Sequence, residues 1–177
     1  MKRSTVLVAA LAFALGALTT LIAKSKTPFD PNAYYAGKEP KAAAAALLAQ
    51  AEVAAGNGSW ERLGVARVYY LSGDKAKAKT IFDGVLNSPK VAQSDIFRAA
   101  NYYAIGKDWE TAKALFEKGM KLDADDDRLA LTAGCWYNLN GDRKRAEELF
   151  NMAFVADPTN SWHYALAGGS YVGVEPF

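Results

Sequence analysis

The fold is decided by one pattern that occurs three times, at residues 66–82 (ARVYYLSGDKAKAKTIF), 100–116 (ANYYAIGKDWETAKALF) and 134–150 (GCWYNLNGDRKRAEELF). Each copy begins 34 residues after the previous one. Four columns of residues keep this register: Tyr69, Tyr103, Tyr137 and Tyr171; Asp74, Asp108 and Asp142; Ala78, Ala112 and Ala146; Phe82, Phe116 and Phe150. Independent columns with one period indicate an internal repeat, which is the sequence signature of a repeat architecture.

Each repeat predicts a pair of helices joined by a tight turn. Glycine accepts the left-handed conformation that ends a helix, and Asp caps the helix that follows. The small residues allow neighbouring helices to approach closely, and the Tyr and Phe side chains fill the remaining space. Gly168 and Gly169 make the last helix a weak one. We predict helices over 41–55, 59–72, 75–88, 93–106, 109–122, 127–139, 143–156 and 161–172, and no strand.

A 34-residue period with these landmarks resembles the tetratricopeptide repeat. The resemblance implies an all-α fold, an α-solenoid in which helix-turn-helix repeats stack as a right-handed superhelix. The repeat domain is expected over 41–177, with full repeats at 59–92, 93–126 and 127–160 and half repeats at 41–55 and 161–172.

Residues 1–25 have the features of an export signal, because a basic start at Lys2 and Arg3 precedes an uncharged run over 5–23. We predict a cleaved signal peptide. The same run is long enough for an N-terminal membrane anchor, and this alternative stays open. The predicted location is periplasmic or secreted, or membrane-anchored with the repeat domain outside the cytoplasm. A proline-rich linker is expected over 26–40.

Composition excludes several function classes. With 21 basic and 19 acidic residues the net charge is only +2, which argues against a nucleic-acid partner. The single cysteine, Cys135, excludes an internal disulfide and a Cys-based zinc site. The single histidine, His163, is predicted to be structural. Because no nucleophile–base pair, phosphate loop or nucleotide fingerprint is found, we predict a non-catalytic chain without metal or cofactor.

Two local features have competing interpretations. Asp123, Asp125 and Asp127 match the first ligands of a calcium loop, but Arg128 stands where that loop needs Gly. We therefore predict that this acidic run caps the next helix. Cys135 is predicted to be a small packing residue, with a redox-sensitive thiol or a ligand contact as alternatives.

One face of each first helix is predicted to line a binding groove. The resemblance places the concave surface at positions 2, 5, 6, 9, 12 and 13 of each repeat, counted from residues 59, 93, 127 and 161. Arginine and aromatic residues are favoured at interfaces, arginine binds carboxylates, and asparagine binds peptide backbone. The expected ligand is a protein or peptide, with an acidic or carboxylate group as its candidate anchor; a membrane is a partner only if residues 1–25 are uncleaved. The candidate groove residues are Trp60, Arg67, Tyr70, Phe97, Arg98, Asn101, Arg128, Asn138 and Trp162.

The groove pattern is similar to that of the carboxylate-clamp subset of the family, which binds C-terminal acidic peptides, but it departs from that subset at several positions. Its Lys-x3-Asn pattern is replaced by Leu63 and Arg67, and Thr132 replaces its second basic residue. A purely structural alternative is that the apolar groove residues pack between helices while the arginines pair with acidic neighbours such as Asp95.

The sequence thus predicts an exported, non-catalytic protein- or peptide-binding module. The alternatives are a membrane-anchored scaffold or assembly factor of a cell-envelope complex, and a self-associating structural subunit.

Overall fold

The computed structural model describes residues 29–176, so the predicted signal or anchor segment over 1–25 lies outside the described residues. The chain divides into two compact units between Leu47 and Leu48. The described part of the first unit holds a single helical turn, α1 (Asn32–Tyr35), and the start of α2 (Pro40–Ala55). The turn α1 lies inside the predicted linker, where the Asp30 carboxylate accepts a hydrogen bond from the Asn32 N–H at 2.9 Å.

The second unit contains the repeats. After the end of α2 come α3 (Ser59–Leu71), α4 (Lys75–Leu86), α5 (Gln93–Ile105), α6 (Trp109–Leu122), α7 (Asp127–Leu139), α8 (Arg143–Ala156) and α9 (Ser161–Tyr171). Residues 29–176 therefore form nine helices and no strand, which confirms the all-α prediction. The bounds of the eight predicted helices differ from the observed ones by at most two residues.

The helices of this unit pack in sequential pairs. Each of α3, α5 and α7 packs against the helix that follows it, and α9 packs against α7 and α8. Small residues at the contacts are fully buried, as Ala66, Ala100 and Ala146 show. Aromatic rings fill the space between them: the Phe82 and Tyr103 ring centres lie 4.9 Å apart, which joins one pair to the next. The core thus runs continuously from repeat to repeat, as repeat packing requires.

The turns between paired helices form as predicted. Asp74, Asp108 and Asp142 cap α4, α6 and α8, and each side chain accepts a hydrogen bond from the third N–H of its helix at 3.1–3.3 Å. The preceding residues are left-handed, with φ of 101° at Gly73, 64° at Lys107 and 88° at Gly141. Asp126 caps α7 in the same way, which confirms the capping interpretation of the acidic run.

Each helix between residues 29 and 176 falls short of the length and apolarity that a membrane crossing requires.

Candidate binding cavity

The first helices of the three pairs, together with α9, line one open cavity of about 660 Å³. Its wall combines cationic, aromatic, amide and apolar side chains, and none of the Asp and Glu residues that the structure describes belongs to it. The lining residues are Trp60, Arg67, Ser94, Phe97, Arg98, Asn101, Tyr102, Ile105, Arg128, Leu129, Leu131, Thr132, Asn160, Trp162, His163, Leu166 and Pro176.

The structure brings together seven of the nine predicted groove residues on this wall, namely Trp60, Arg67, Phe97, Arg98, Asn101, Arg128 and Trp162. Two do not line it. Tyr70 is 5% exposed and lies in the core, with its ring centre 5.0 Å from that of Tyr103. Asn138 donates a hydrogen bond to the Ser170 hydroxyl at 3.0 Å. Tyr70 and Asn138 therefore contact the next repeat and not the cavity.

Cations and aromatic rings alternate along one side of the cavity. The Arg98 Cζ lies 3.7 Å from the centre of the Trp60 ring, and its Nη1 donates to the Tyr102 hydroxyl at 3.3 Å. The Arg67 Cζ lies 5.7 Å from the centre of the Tyr102 ring. Stacking on an aromatic face orients a guanidinium while leaving its edge N–H groups available to an acceptor.

Within residues 29–176 the cavity arginines have no acidic partner. Among the described residues, no carboxylate oxygen lies within 4 Å of the guanidinium nitrogens of Arg67, Arg98 or Arg128. The Asp95 carboxylate does not pair with Arg98, because its Oδ2 accepts the Ala92 N–H at 3.2 Å at the start of α5. The described residues therefore do not show the alternative in which acidic neighbours pair with these arginines. The side chains of all three arginines belong to the cavity wall.

Amide groups supply further hydrogen-bonding capacity. The Asn101 Oδ1 accepts the indole N–H of the buried Trp136 at 2.8 Å, which fixes the plane of the amide. The Asn101 Nδ2 has no hydrogen-bond partner within residues 29–176, and Asn101 is one of the residues that line the cavity. An acceptor such as a peptide carbonyl matches this donor.

His163 belongs to the wall but is only 2% exposed. The Asn160 Oδ1 accepts the Trp162 N–H at 3.1 Å, so the Asn160 Nδ2 faces the His163 Nε2 at 3.2 Å. In the neutral ring this leaves Nε2 as the acceptor and places the proton on Nδ1. The Asp127 Oδ2 lies 3.6 Å from the same Nε2 and pairs with the ring if it is protonated. The structural role predicted for His163 fits this burial.

Only three buried side-chain polar atoms lack a hydrogen-bond partner within the described residues: Asp95 Oδ1, Arg98 Nε and His163 Nδ1. Arg98 and His163 both line the cavity, and both of their atoms are donors. Buried donors without partners are rare in folded proteins. Solvent reaches neither atom, so a ligand in the cavity could accept from either one only after the wall had rearranged.

Cys135, in α7, is fully buried and free of disulfide bonds. Burial raises the pKa of its thiol to about 12. The thiol is therefore protonated at neutral pH and is neither nucleophilic nor a ready metal ligand, which agrees with the packing role predicted for it.

Sequence reasoning missed several lining residues. Tyr102 lies one turn after Arg98, and this spacing on one helix face was a usable signal. Asn160 could have been recognised as an N-cap two residues before Trp162. The sequence holds no signal for Pro176, which is buried against the wall after the last helix.

Comparison of the chain with models of protein families, with curated proteins and with solved structures gives no match.

Proposed function

We propose that residues 41–177 form an α-solenoid of the tetratricopeptide type, with right-handed stacking, which acts as a non-catalytic binding module. The 34-residue period and the sequential packing of helix pairs support this arrangement. The ligand is a protein or peptide segment, and its site is the cavity lined by the first helices.

The observation that carries the proposal is the set of three arginines, Arg67, Arg98 and Arg128, which have no acidic partner among residues 29–176 and lie on a wall whose described residues include no Asp or Glu. A ligand segment with Asp, Glu or a free C-terminal carboxylate would supply that partner through charge-assisted hydrogen bonds. Trp60 and Trp162, which are 53% and 72% exposed, offer large rings at the same surface. Such rings anchor interfaces more often than other side chains do.

The test uses fluorescence anisotropy with pairs of labelled short peptides, one of each pair acidic and the other carrying Asn and Gln at the same positions. We expect the acidic member to bind more tightly and added salt to weaken its binding. Arg98→Ala should remove this preference. Arg143→Ala is the matched control, because Arg143 is an exposed cation outside the cavity that pairs with Glu147.

Equal binding of both peptides to the unmodified chain would contradict the acidic-ligand proposal. Equal loss in Arg98→Ala and Arg143→Ala would show a general charge effect and would remove the cavity from the proposal.

The module is proposed to act outside the cytoplasm because of residues 1–25. Intact mass of the protein from its native host distinguishes the two forms of export. A measured mass that is lower than the mass of the full chain by about the mass of residues 1–25 indicates a cleaved signal and a periplasmic or secreted module. A full-length mass in the membrane fraction favours the anchored scaffold.

A further inference from the structure

A short acidic loop joins α6 to α7. Residues 123–127 have the sequence DADDD, in which four of five side chains are carboxylates. Asp123 and Asp125 are exposed, and the backbone is extended at Asp123 and Asp126. The local structure does not require these charges. Asp123 Oδ1 accepts the Asp125 N–H at 3.1 Å and Asp126 Oδ1 accepts the Leu129 N–H at 3.0 Å, and a neutral Asn would accept both hydrogen bonds as well.

The loop is held in place without a counter-charge. The Gln93 side chain on α5 donates a hydrogen bond to the Asp123 carbonyl oxygen at 2.7 Å. Among residues 29–176, no Lys or Arg nitrogen lies within 4 Å of a carboxylate oxygen of Asp123, Asp125 or Asp126. The loop is therefore a surface segment with three carboxylates that the described part of the chain leaves unpaired.

This loop adjoins the cavity wall of its own chain. Arg128, which directly follows Asp127, belongs to that wall. The Asp127 Oδ2 lies 3.6 Å from the Nε2 of His163, another residue of the wall. The loop carboxylates nevertheless form no ion pair with the cavity arginines of the same chain. An acidic segment and a cationic cavity thus lie side by side, and neither supplies the partner of the other.

We propose that the acidic ligand of the cavity is residues 123–126 of a second copy of this chain. This inference rests on the proposed function, because it names the segment that the cavity binds. Three unpaired carboxylates on the loop and three unpaired arginines in the cavity are complementary in charge. Residues 1–28 hold no Asp or Glu, so they do not offer such a segment.

The expected assembly is a symmetric dimer. Because the loop and the cavity adjoin, a two-fold arrangement places the loop of each copy against the cavity of the other, and the dimer has two identical contacts. Charge-assisted hydrogen bonds between carboxylate and guanidinium groups would hold each contact, so added salt should weaken the dimer.

The test measures the dissociation constant of the dimer of the full chain by sedimentation velocity. The loop variant carries Asp123→Asn, Asp125→Asn and Asp126→Asn, which removes three charges and keeps the acceptors that cap and turn the backbone. The loop variant and Arg98→Ala should each raise the dissociation constant by about tenfold or more.

Each variant has a matched control with the same change in net charge. For the loop variant it is the triple change Glu39→Gln, Glu61→Gln and Glu110→Gln, at exposed positions outside the cavity wall. For Arg98→Ala it is Arg143→Ala, as above. Both controls should dimerise like the unmodified chain, and circular dichroism verifies that every variant keeps its helices.

A mixture of the loop variant with Arg98→Ala tests the contact directly. The loop variant keeps an intact cavity and Arg98→Ala keeps an intact loop, so one of the two contacts of the dimer can form between them. The mixture should therefore associate more strongly than either variant alone. A variant that had merely lost its fold would not be rescued in this way.

Three results would overturn the proposal. The first is a chain that sediments as a monomer at every concentration, and the second is a loop variant that dimerises like its control, because another surface would then join the copies. The third is a mixture that associates no better than its components. A monomeric chain that still binds the acidic peptide in its cavity would refute the second copy as ligand and leave the proposed function standing. A monomeric chain with no preference for the acidic peptide would refute both.

Discussion

The Arg98 guanidinium stacks on the Trp60 ring, with Cζ 3.7 Å from the ring centre. This contact joins α5 to α3 across the cavity wall and holds a cation in place without any carboxylate. Trp60 thus holds the guanidinium of Arg98 in place, as the carboxylate of Glu147 holds the guanidinium of Arg143. The difference is that a stacked guanidinium keeps its charge available to a ligand.

Replacement of Trp60 by Ala should release Arg98 and weaken binding of an acidic peptide. A cation–π contact at an exposed site contributes about 0.5–1 kcal/mol, which corresponds to a loss of roughly two- to fivefold. Because Trp60 is 53% exposed, the free energy of unfolding should fall by no more than about 1 kcal/mol. Anisotropy and urea titration measure the two quantities, and Trp60→Phe should retain most of the binding. Unchanged affinity in Trp60→Ala would refute an orienting role for the ring.

Two glycines in equivalent positions should respond oppositely to alanine. Gly168→Ala places a methyl group in open space within a helix, so it should stabilise the protein by up to about 1 kcal/mol. Gly134→Ala forces its Cβ against the buried Phe150 ring and should destabilise by about 1–3 kcal/mol. Urea-induced unfolding followed by circular dichroism compares the pair. The same sign for both changes would show that the two helices are covered alike.

Lys107 stands where the other two turns have Gly, with a φ of 64°. Lys107→Gly should relieve a left-handed conformation that costs a non-glycine residue about 1 kcal/mol or more. Part of this gain is offset by the greater freedom of Gly in the unfolded chain, so the expected net stabilisation is up to about 1 kcal/mol. The change also removes the exposed ion pair with Glu175, which is 2.7 Å long. Lys107→Ala removes that ion pair but keeps the strained backbone. The midpoint temperature of thermal unfolding should therefore be higher for Lys107→Gly than for Lys107→Ala.

Alkaline pH should destabilise the fold through its buried tyrosines. Burial is the main cause that raises the pKa of Tyr103 from 10 to about 12. The folded state holds this proton more tightly than the unfolded state, so the stabilisation is complete below about pH 10 and is lost as pH rises towards 12. In Tyr103→Phe the free energy of unfolding should decline less steeply over that interval. Parallel curves for the two proteins in urea titrations would contradict this assignment.

The helix bounds and caps could be predicted because their causes are local. An Asp after a left-handed residue, followed by a regular apolar period, specifies where one helix ends and the next begins. The contacts are equally local, since α4, α6 and α8 each follow their partner helix directly. Such packing is encoded within one period of the sequence.

The cavity could be predicted only in part, and both misplaced residues, Tyr70 and Asn138, occupy the twelfth position of their units. The rotation per residue of an α-helix places this position on the helix face that was predicted to line the groove. However, each first helix contacts its own second helix and also the next repeat, so it buries more than one stripe. Tyr70 lies against Phe82 and Tyr103 for this reason. One helix considered alone cannot reveal a neighbour that comes 34 residues later.

The burial of Pro176 in the cavity wall has a practical consequence for handling the protein. Lys107 and Glu175 tie this part of the chain to the turn before α6. Whatever is joined beyond Pro176, whether an affinity tag, a fluorescent reporter or a surface linker, starts beside the cavity wall. Sensor measurements of affinity should therefore avoid attachment of the protein at this end of the chain.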